Sequence, residues 1–211
     1  KPFKGINGSG KHDNWSLATP EFNMLDPGDN PEGNPVFLLS LAAVIQAVDD
    51  YQEYLRAAAA SPGNDHRLGG QEAPPAIMSI FLGDELDAIV RAIAAGKDPK
   101  AHEEREMDLG SDVLPSLHLD NTDRNRTSPF AFTGNKFEFR MPGSQQNLSD
   151  PNVVLNTAVA EQCDRFCTYV AERSDEEFLT VAMRFIRHTF RDHQRIIFDG
   201  NGYSEEWEAE A

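Results

Sequence analysis

The chain has 211 residues, enough for one domain with a sizeable core, and 39% of them are hydrophobic, which argues against wholesale disorder. Thirty-five acids against nineteen bases leave a net charge of −16. Such a surface repels phosphate backbones and argues against a nucleic-acid partner, while allowing a small anion held in a local basic pocket. No apolar run approaches the roughly 18 residues that a membrane span needs, so no membrane partner is expected. Cys163 and Cys167, four apart in a helical stretch, are not needed as a staple and read as small buried hydrophobes. They fit a reduced, cytoplasmic compartment, or an organelle if a transit segment precedes Lys1. Both ends look cut, so a fragment of a longer polypeptide is expected.

In chain order, residues 1–20 read as a strand with loops, and Asp26-Pro27-Gly28-Asp29-Asn30-Pro31 as turns. Leu38, Leu41, Ala42, Ile45, Val48 and Leu55 recur at helical spacing, which predicts one helix from Pro35 to about Ala60. Ser61 to Asp65 would end it. An apolar stretch follows at Ala76–Leu82, then a short helix over Asp84–Ala95 stopped by Gly96 and Pro99. Residues 97–125 are charged and ambiguous. Lys136–Arg140 alternates as a strand, ended by Pro142-Gly143-Ser144. Asn152 to about Glu172 reads as a helix. Ser174-x-x-Glu177 has the form of a capping box opening a further helix that carries Phe178, Leu179, Ala182, Phe185 and Ile186. Ile196 to Asp199 reads as a helix terminus with a turn.

Four segments carry chemistry. In Asn7-Gly8-Ser9-Gly10-Lys11-His12-Asp13-Asn14-Trp15-Ser16 the glycines let backbone approach a ligand, and His12 can bind a divalent cation. The plain alternative is a polar turn with an exposed histidine. In Phe137-Glu138-Phe139-Arg140, strand alternation sends both phenylalanines inward and puts Glu138 and Arg140 together on the other face, about 7 Å apart. That pair suits a metal and an anion, or is an ordinary solvated face. In Asp123 to Ser128, Arg124 and Arg126 can clamp phosphate oxygens or pair with nearby acids. In His66 to Pro75, glycines before prolines suggest a mobile loop whose working groups are Arg67 and Glu72, or a surface loop without a task. His188 and His193 lie five apart and do not share a helix face, which argues against a metal between them. Gly5-x-x-x-x-Gly10-Lys11 nearly matches a phosphate loop, with Asp199 as its acidic partner, but His12 stands where Ser or Thr is required.

Taken together and in order, the four segments resemble the glutamine synthetase family, and its long type III branch in particular. Asn7 to Leu17 resembles the Asn-Gly-Ser-Gly-x-His signature, and Arg67 to Pro74 the glutamate-clamping Arg and loop Glu. Asn125 to Phe130 and Lys136 to Pro142 resemble the Asn-Arg-Ser and Glu-x-Arg-x-Pro elements. Leu25 to Asp29 and Ala73 to Leu82 look like type III specifically. The resemblance implies a ligase making glutamine from glutamate and ammonium with ATP and Mg2+ or Mn2+, through γ-glutamyl phosphate. It implies metal binding by His12 and Glu138, glutamate contacts from Asn7, Gly8, Arg67 and Arg140, and nucleotide contacts from Asn14, Ser16 and Arg126. Glu72 would close over the site and help deprotonate ammonium, and Arg126 and Arg140 would steady the transferred phosphoryl group. The implied fold is α+β: antiparallel strands of an open barrel with helices packed outside, in a homo-oligomer, a dodecamer for type III.

Residues 1–211 would then be a partial catalytic domain, with a type III insertion at about 84–122 and a helical region over 152–198. The β-grasp domain and further metal-ligand strands would lie upstream, so these residues alone are expected to be inactive. Two departures from shorter members stand out. Ala131 or Phe132 occupies the place of a second arginine, and Asn14 replaces a histidine. The alternatives are a phosphate-loop nucleotidase using Gly5–Lys11 and Asp199, and a non-catalytic acidic helical scaffold.

Overall fold

The structure, a computed structural model, describes residues 10–59, 77–97, 99, 106–107, 117–118, 128–198, 200 and 204–206. The architecture is α+β, a small mixed sheet packed against helices. Strand β1 spans Asp13–Trp15, β2 Ile80–Phe81, β5 Phe130–Phe132 and β6 Phe137–Phe139, and they line up in the order β1-β6-β5-β2. Two further short strands, β3 (Glu106–Met107) and β4 (Leu117–His118), pair with each other inside the charged stretch. β5 and β6 form a hairpin whose turn places Gly134 at φ +91°, a conformation that L side chains rarely adopt.

The expected all-antiparallel sheet needs one correction. β2 pairs with β5 in parallel, with Ile80 opposite Phe130 and Phe81 opposite Ala131. Parallel neighbours need a long crossover, and the connection from β2 to β5 contains a helix, α3 (Asp84–Ala94).

Helix α1 (Pro35–Asp50) runs through the core. Asn34 caps it by accepting from Phe37 N–H at 3.1 Å, and Pro35 occupies its first turn. Phe37, Leu38, Leu41, Ala42, Ala43, Val44, Ile45, Ala47 and Val48 are all buried, so the helix is covered nearly all round rather than along one stripe. The single long helix read from the sequence is broken at Tyr51, whose backbone leaves the helical region, and α2 (Gln52–Ala59) starts anew. One tertiary and one local contact sit at the break. The Tyr51 hydroxyl bonds Glu161, and Gln52 Nε2 donates to the Asp49 carbonyl at 3.1 Å.

α3 ends in a Schellman arrangement: Gly96 has φ +70°, Lys97 N–H reaches Ala92 O at 2.9 Å, and Gly96 N–H reaches Ile93 O at 3.0 Å. α4 (Ser149–Ala171) begins three residues before the expected Asn152. α5 (Phe178–His193) is capped by Glu177 itself, whose carboxylate accepts from Leu179 N–H at 2.9 Å and Thr180 N–H at 2.5 Å. The capping box is therefore corrected: Glu177 is the cap, not the third helical residue. Phe178 and Leu179 are exposed, and the buried face of α5 is Val181, Ala182, Ile186, Thr189 and Phe190. Cys163 and Cys167 are exposed on α4, which corrects their reading as buried hydrophobes; the residues that α4 buries are Pro151, Leu155, Ala158, Val159 and Gln162.

The sheet presents its aromatic side to α1. Phe130 and Phe137 stack with centroids 4.7 Å apart, Phe132 meets Phe137 edge-on at 5.3 Å, and Phe37 of α1 lies 6.0 Å from Phe132. Trp15 on the same side donates Nε1–H to Asn156 of α4 at 2.8 Å. Among the described residues no helix is long and apolar enough to cross a membrane.

Candidate functional site

The two faces of the sheet divide the labour. Register puts Asp13 opposite Phe139, Asn14 opposite Glu138 and Trp15 opposite Phe137, and Ala131 opposite Glu138 on the other side. Because side chains alternate, Asp13, Trp15, Phe137 and Phe139 turn to the core. Glu138 and Arg140 take the other face together, with His12 and Asn14 beside them from the neighbouring strand. Small Ala131 flanks Glu138 without filling that face.

His12 and Glu138 converge, although 126 residues separate them: the imidazole Nδ1 lies 2.7 Å from Glu138 Oε1. Arg140 Nε donates to Glu138 Oε2, also at 2.7 Å. Glu138 and His12 keep 18% and 25% of their side chains exposed, and Arg140 6%, so the group is sheltered yet open on one side. This is not a solvated strand face. Burial pushes the Glu138 carboxyl up, and the Arg140 and His12 contacts outweigh it, holding the group below the ordinary carboxylate range. It therefore stays charged at neutral pH, as a metal ligand must.

Asn14 Nδ2 lies 3.5 Å from the His12 carbonyl. The Ser16 hydroxyl is 2.7 Å from Asn23 Oδ1 and 3.1 Å from the Asn135 carbonyl, so it is tied to Asn23 and to the turn between β5 and β6. Asn7, Gly8, Arg67, Glu72 and Arg126 lie outside the described residues, as do Gly5 and Asp199. The phosphate-loop alternative meets a direct obstacle in the part that is described. Lys11 Nζ donates to the Gln146 carbonyl at 2.6 Å, and a strand, not a helix, follows it at Asp13. A phosphate loop opens a helix whose N–H groups face the anion.

Sequence reasoning missed how the site's rim is closed. Gly10 bridges to Gly143, and Lys11 N–H donates to the Pro142 carbonyl at 2.9 Å, so the segment after Arg140 runs antiparallel beside the His12 end. The bridge is one residue out of the Asp13–Phe139 register, which would have set Gly10 opposite Pro142, so no local pattern announced it. It also missed Asp13, a buried carboxyl raised by burial, one oxygen of which has no hydrogen-bond partner.

A second group of possible ligands, Asp49, Asp50 and His193, brings three donor atoms within 4.8 Å of one another. His193 thus finds its partners on α1 rather than in His188. Arg195 Nε, however, donates to both Asp49 oxygens, at 2.9 and 3.1 Å. The cluster is thus also an ion-pair network joining α1 to the end of α5 and the residues just after it.

Residues 182–211 match the glutamine synthetase C-terminal domain family. The chain is 51% identical over 210 residues to the type-3 glutamine synthetase of Dictyostelium discoideum, covering 98% of this chain and 28% of that protein. It is 46% identical to the glutamine synthetases of Bacteroides fragilis (strain YCH46) and Butyrivibrio fibrisolvens, covering all of this chain and 30% of each. The chain thus spans less than a third of the length of these curated relatives. The family resemblance carried by the four motifs is borne out.

Proposed function

We propose that this chain is part of the catalytic domain of a type-3 glutamine synthetase, an ATP-dependent ligase that joins glutamate and ammonium. The observation that carries the reading is the approach of His12 and Glu138 to 2.7 Å beside Arg140, on one face of adjacent strands. Imidazole and carboxylate are suitable donors for a divalent cation, and a guanidinium beside them suits a phosphoryl oxygen.

The chemistry explains these residue types. The γ-carboxylate of glutamate must attack the γ-phosphate of ATP, and both are anions. Mg2+ or Mn2+ held by His12 and Glu138 would neutralise charge between them. Arg140 steadies the transferred phosphoryl group and the γ-carboxylate, with Arg126 as its companion on the nucleotide side. Asn7, Gly8 and Arg67 hold the amino-acid end of glutamate, while Asn14 and Ser16 lie toward the nucleotide. Ammonia, released from ammonium with the help of Glu72, then displaces phosphate from γ-glutamyl phosphate. A loop carrying Glu72 also excludes water, which would otherwise hydrolyse that mixed anhydride.

The described strands form part of an open barrel with helices outside, residues 84–122 a type III insertion and 152–198 a helical region. The remaining ligands and a β-grasp domain come from upstream sequence, and the assembly is a cytoplasmic dodecamer. These 211 residues alone do not turn over.

The test uses the complete gene product that carries this sequence. It should form glutamine only with ATP, ammonium and Mg2+ or Mn2+ present. Glu138→Gln keeps shape but removes the charge, and should lower the rate at least about 100-fold. Lys11→Ala should have a mild effect. Loss of nucleotide affinity by orders of magnitude in Lys11→Ala, with Glu138→Gln active, would replace the ligase reading by a phosphate loop.

A further inference from the structure

Behind the Glu138 face lies a buried polar contact that phosphoryl transfer does not itself require. Ser79 precedes β2 and Ser128 precedes β5, and they are 2% and 0% exposed. The Ser79 hydroxyl donates to Ser128 Oγ at 2.9 Å, and the Ser128 hydroxyl donates to the Phe198 carbonyl at 3.1 Å. Backbone bonds close around the pair: Phe130 N–H reaches Ser79 O at 3.3 Å, and Phe198 N–H reaches Ile80 O at 2.9 Å. Three segments distant in sequence are pinned at one point. Neighbouring Met78, Ile80, Phe130 and Ile196 are buried and apolar. A hydroxyl in such surroundings is unfavourable unless it is hydrogen-bonded, so alanine would be the simpler filler.

The pin leads to the site in two steps. Pro129 follows Ser128, and its carbonyl accepts from the Arg140 N–H at 2.8 Å. Arg140 Nε then holds Glu138 Oε2 at 2.7 Å. A displacement of the β5 entry therefore moves the backbone from which Arg140 is aimed, and with it the carboxylate that Arg140 and His12 share.

We propose that Ser79 and Ser128 are positioning residues for the Glu138–Arg140 pair, acting through the Pro129 carbonyl. The proposal rests on the reading of that pair given above. It predicts an effect on the transition state rather than on ground-state binding, since Arg140 is asked to meet a phosphoryl group in transit.

The experiment measures kcat, the KM for ATP and the thermal midpoint of the complete gene product and four variants: Ser79→Ala, Ser128→Ala, the double alanine variant, and Ser79→Thr. Ser128→Ala should lower kcat about 10- to 100-fold, the range expected when a catalytic group is misplaced by ångströms, with KM for ATP changed less than about twofold. The double variant should be no worse than the poorer single one, because the two hydroxyls act as a unit. Ser79→Thr keeps the hydroxyl and should restore activity relative to Ser79→Ala. If Ser128→Ala does not fold, the Ser79 pair of variants decides the matter. Variants with full kcat, or with activity lost only in proportion to the unfolded fraction, overturn the positioning role alone. A wild-type product without ATP-dependent glutamine formation overturns the ligase reading and this role with it.

Discussion

Asp49 shows how one side chain can join segments far apart in the chain. It sits near the end of α1, 3% exposed, and accepts from His193 of α5 at 2.8 Å and from Arg195 just beyond it. Burial pushes its carboxyl up, but the hydrogen bonds from His193 and Arg195 more than reverse this and leave it below its ordinary 3.8. A carboxyl whose folded value is depressed contributes stability above the unfolded value and loses it as pH falls through the folded one. Asp49→Asn should therefore cost roughly 1–3 kcal/mol at pH 7. In urea unfolding at a series of pH values, the gap to wild type should narrow below about pH 4. A gap that is the same at pH 3 and pH 7 would show that the charge is not what matters. His193 had no assignable partner in the sequence, because Asp49 is 144 residues away.

At the scale of elements, caps govern where helices begin and end. Asn34 serves two segments: its Oδ1 caps α1, while its Nδ2 lies 3.3 Å from the Asp26 carbonyl, tying the preceding turn to the helix. Asn34→Ala should lower stability by about 1 kcal/mol, the usual worth of an N-cap. Asn34→Ser should recover most of the cap and less of the turn contact, and chemical denaturation of both variants separates the two roles. Gly96 makes the complementary point at a C-terminus. A β-carbon there has room, with Arg187 Nη1 the nearest atom at 3.7 Å, so the φ of +70° alone sets the cost of Gly96→Ala. That cost should be about 1 kcal/mol, read as a lowered unfolding midpoint. Gly96 and Pro99 were visible as stops, and Pro35 as a start. The end of α1 was not: the helix breaks at Tyr51, whose hydroxyl bonds Glu161 of α4, while the local pattern of Leu38 through Leu55 continues unbroken. Glu177 was noticed but given the wrong position in its cap. Ser174 matches the motif as well as any residue, and only the backbone shows that the helix starts at Phe178.

At the scale of the whole molecule, the proposed function would ask an acidic chain of net charge −16 to gather polyanionic substrates. The sheet places Arg140 and the His12–Glu138 pair together on one sheltered face. A protein that binds a ligand only when folded is stabilised by it, by about 2.7 kcal/mol at a hundredfold excess over the dissociation constant. The complete gene product should thus melt higher with Mg2+ and a non-hydrolysable ATP analogue together than with either alone. Glu138→Gln should lose most of that increment. An acidic scaffold would show no metal-dependent shift with the nucleotide.

What the sequence determined by itself were the local matters: the turn residues, the starts of α1 and α3, the stop at Gly96, and the alternation that sends Phe137 and Phe139 inward while pairing Glu138 with Arg140. It also carried the family resemblance, because four spaced motifs in order are specific where each alone is weak. These features depend on residues within a few positions of one another, and their physics is local. What the tertiary structure decided was everything that joins distant segments: the parallel pairing of β2 with β5, the meeting of His12 with Glu138, the hydroxyl pair of Ser79 and Ser128, and the exposure of Cys163 and Cys167. Such contacts exist only after the apolar faces of α1 and the sheet have packed, since that packing selects which polar groups are left facing each other. A cysteine on an amphipathic helix can belong to either face until a neighbour covers one of them.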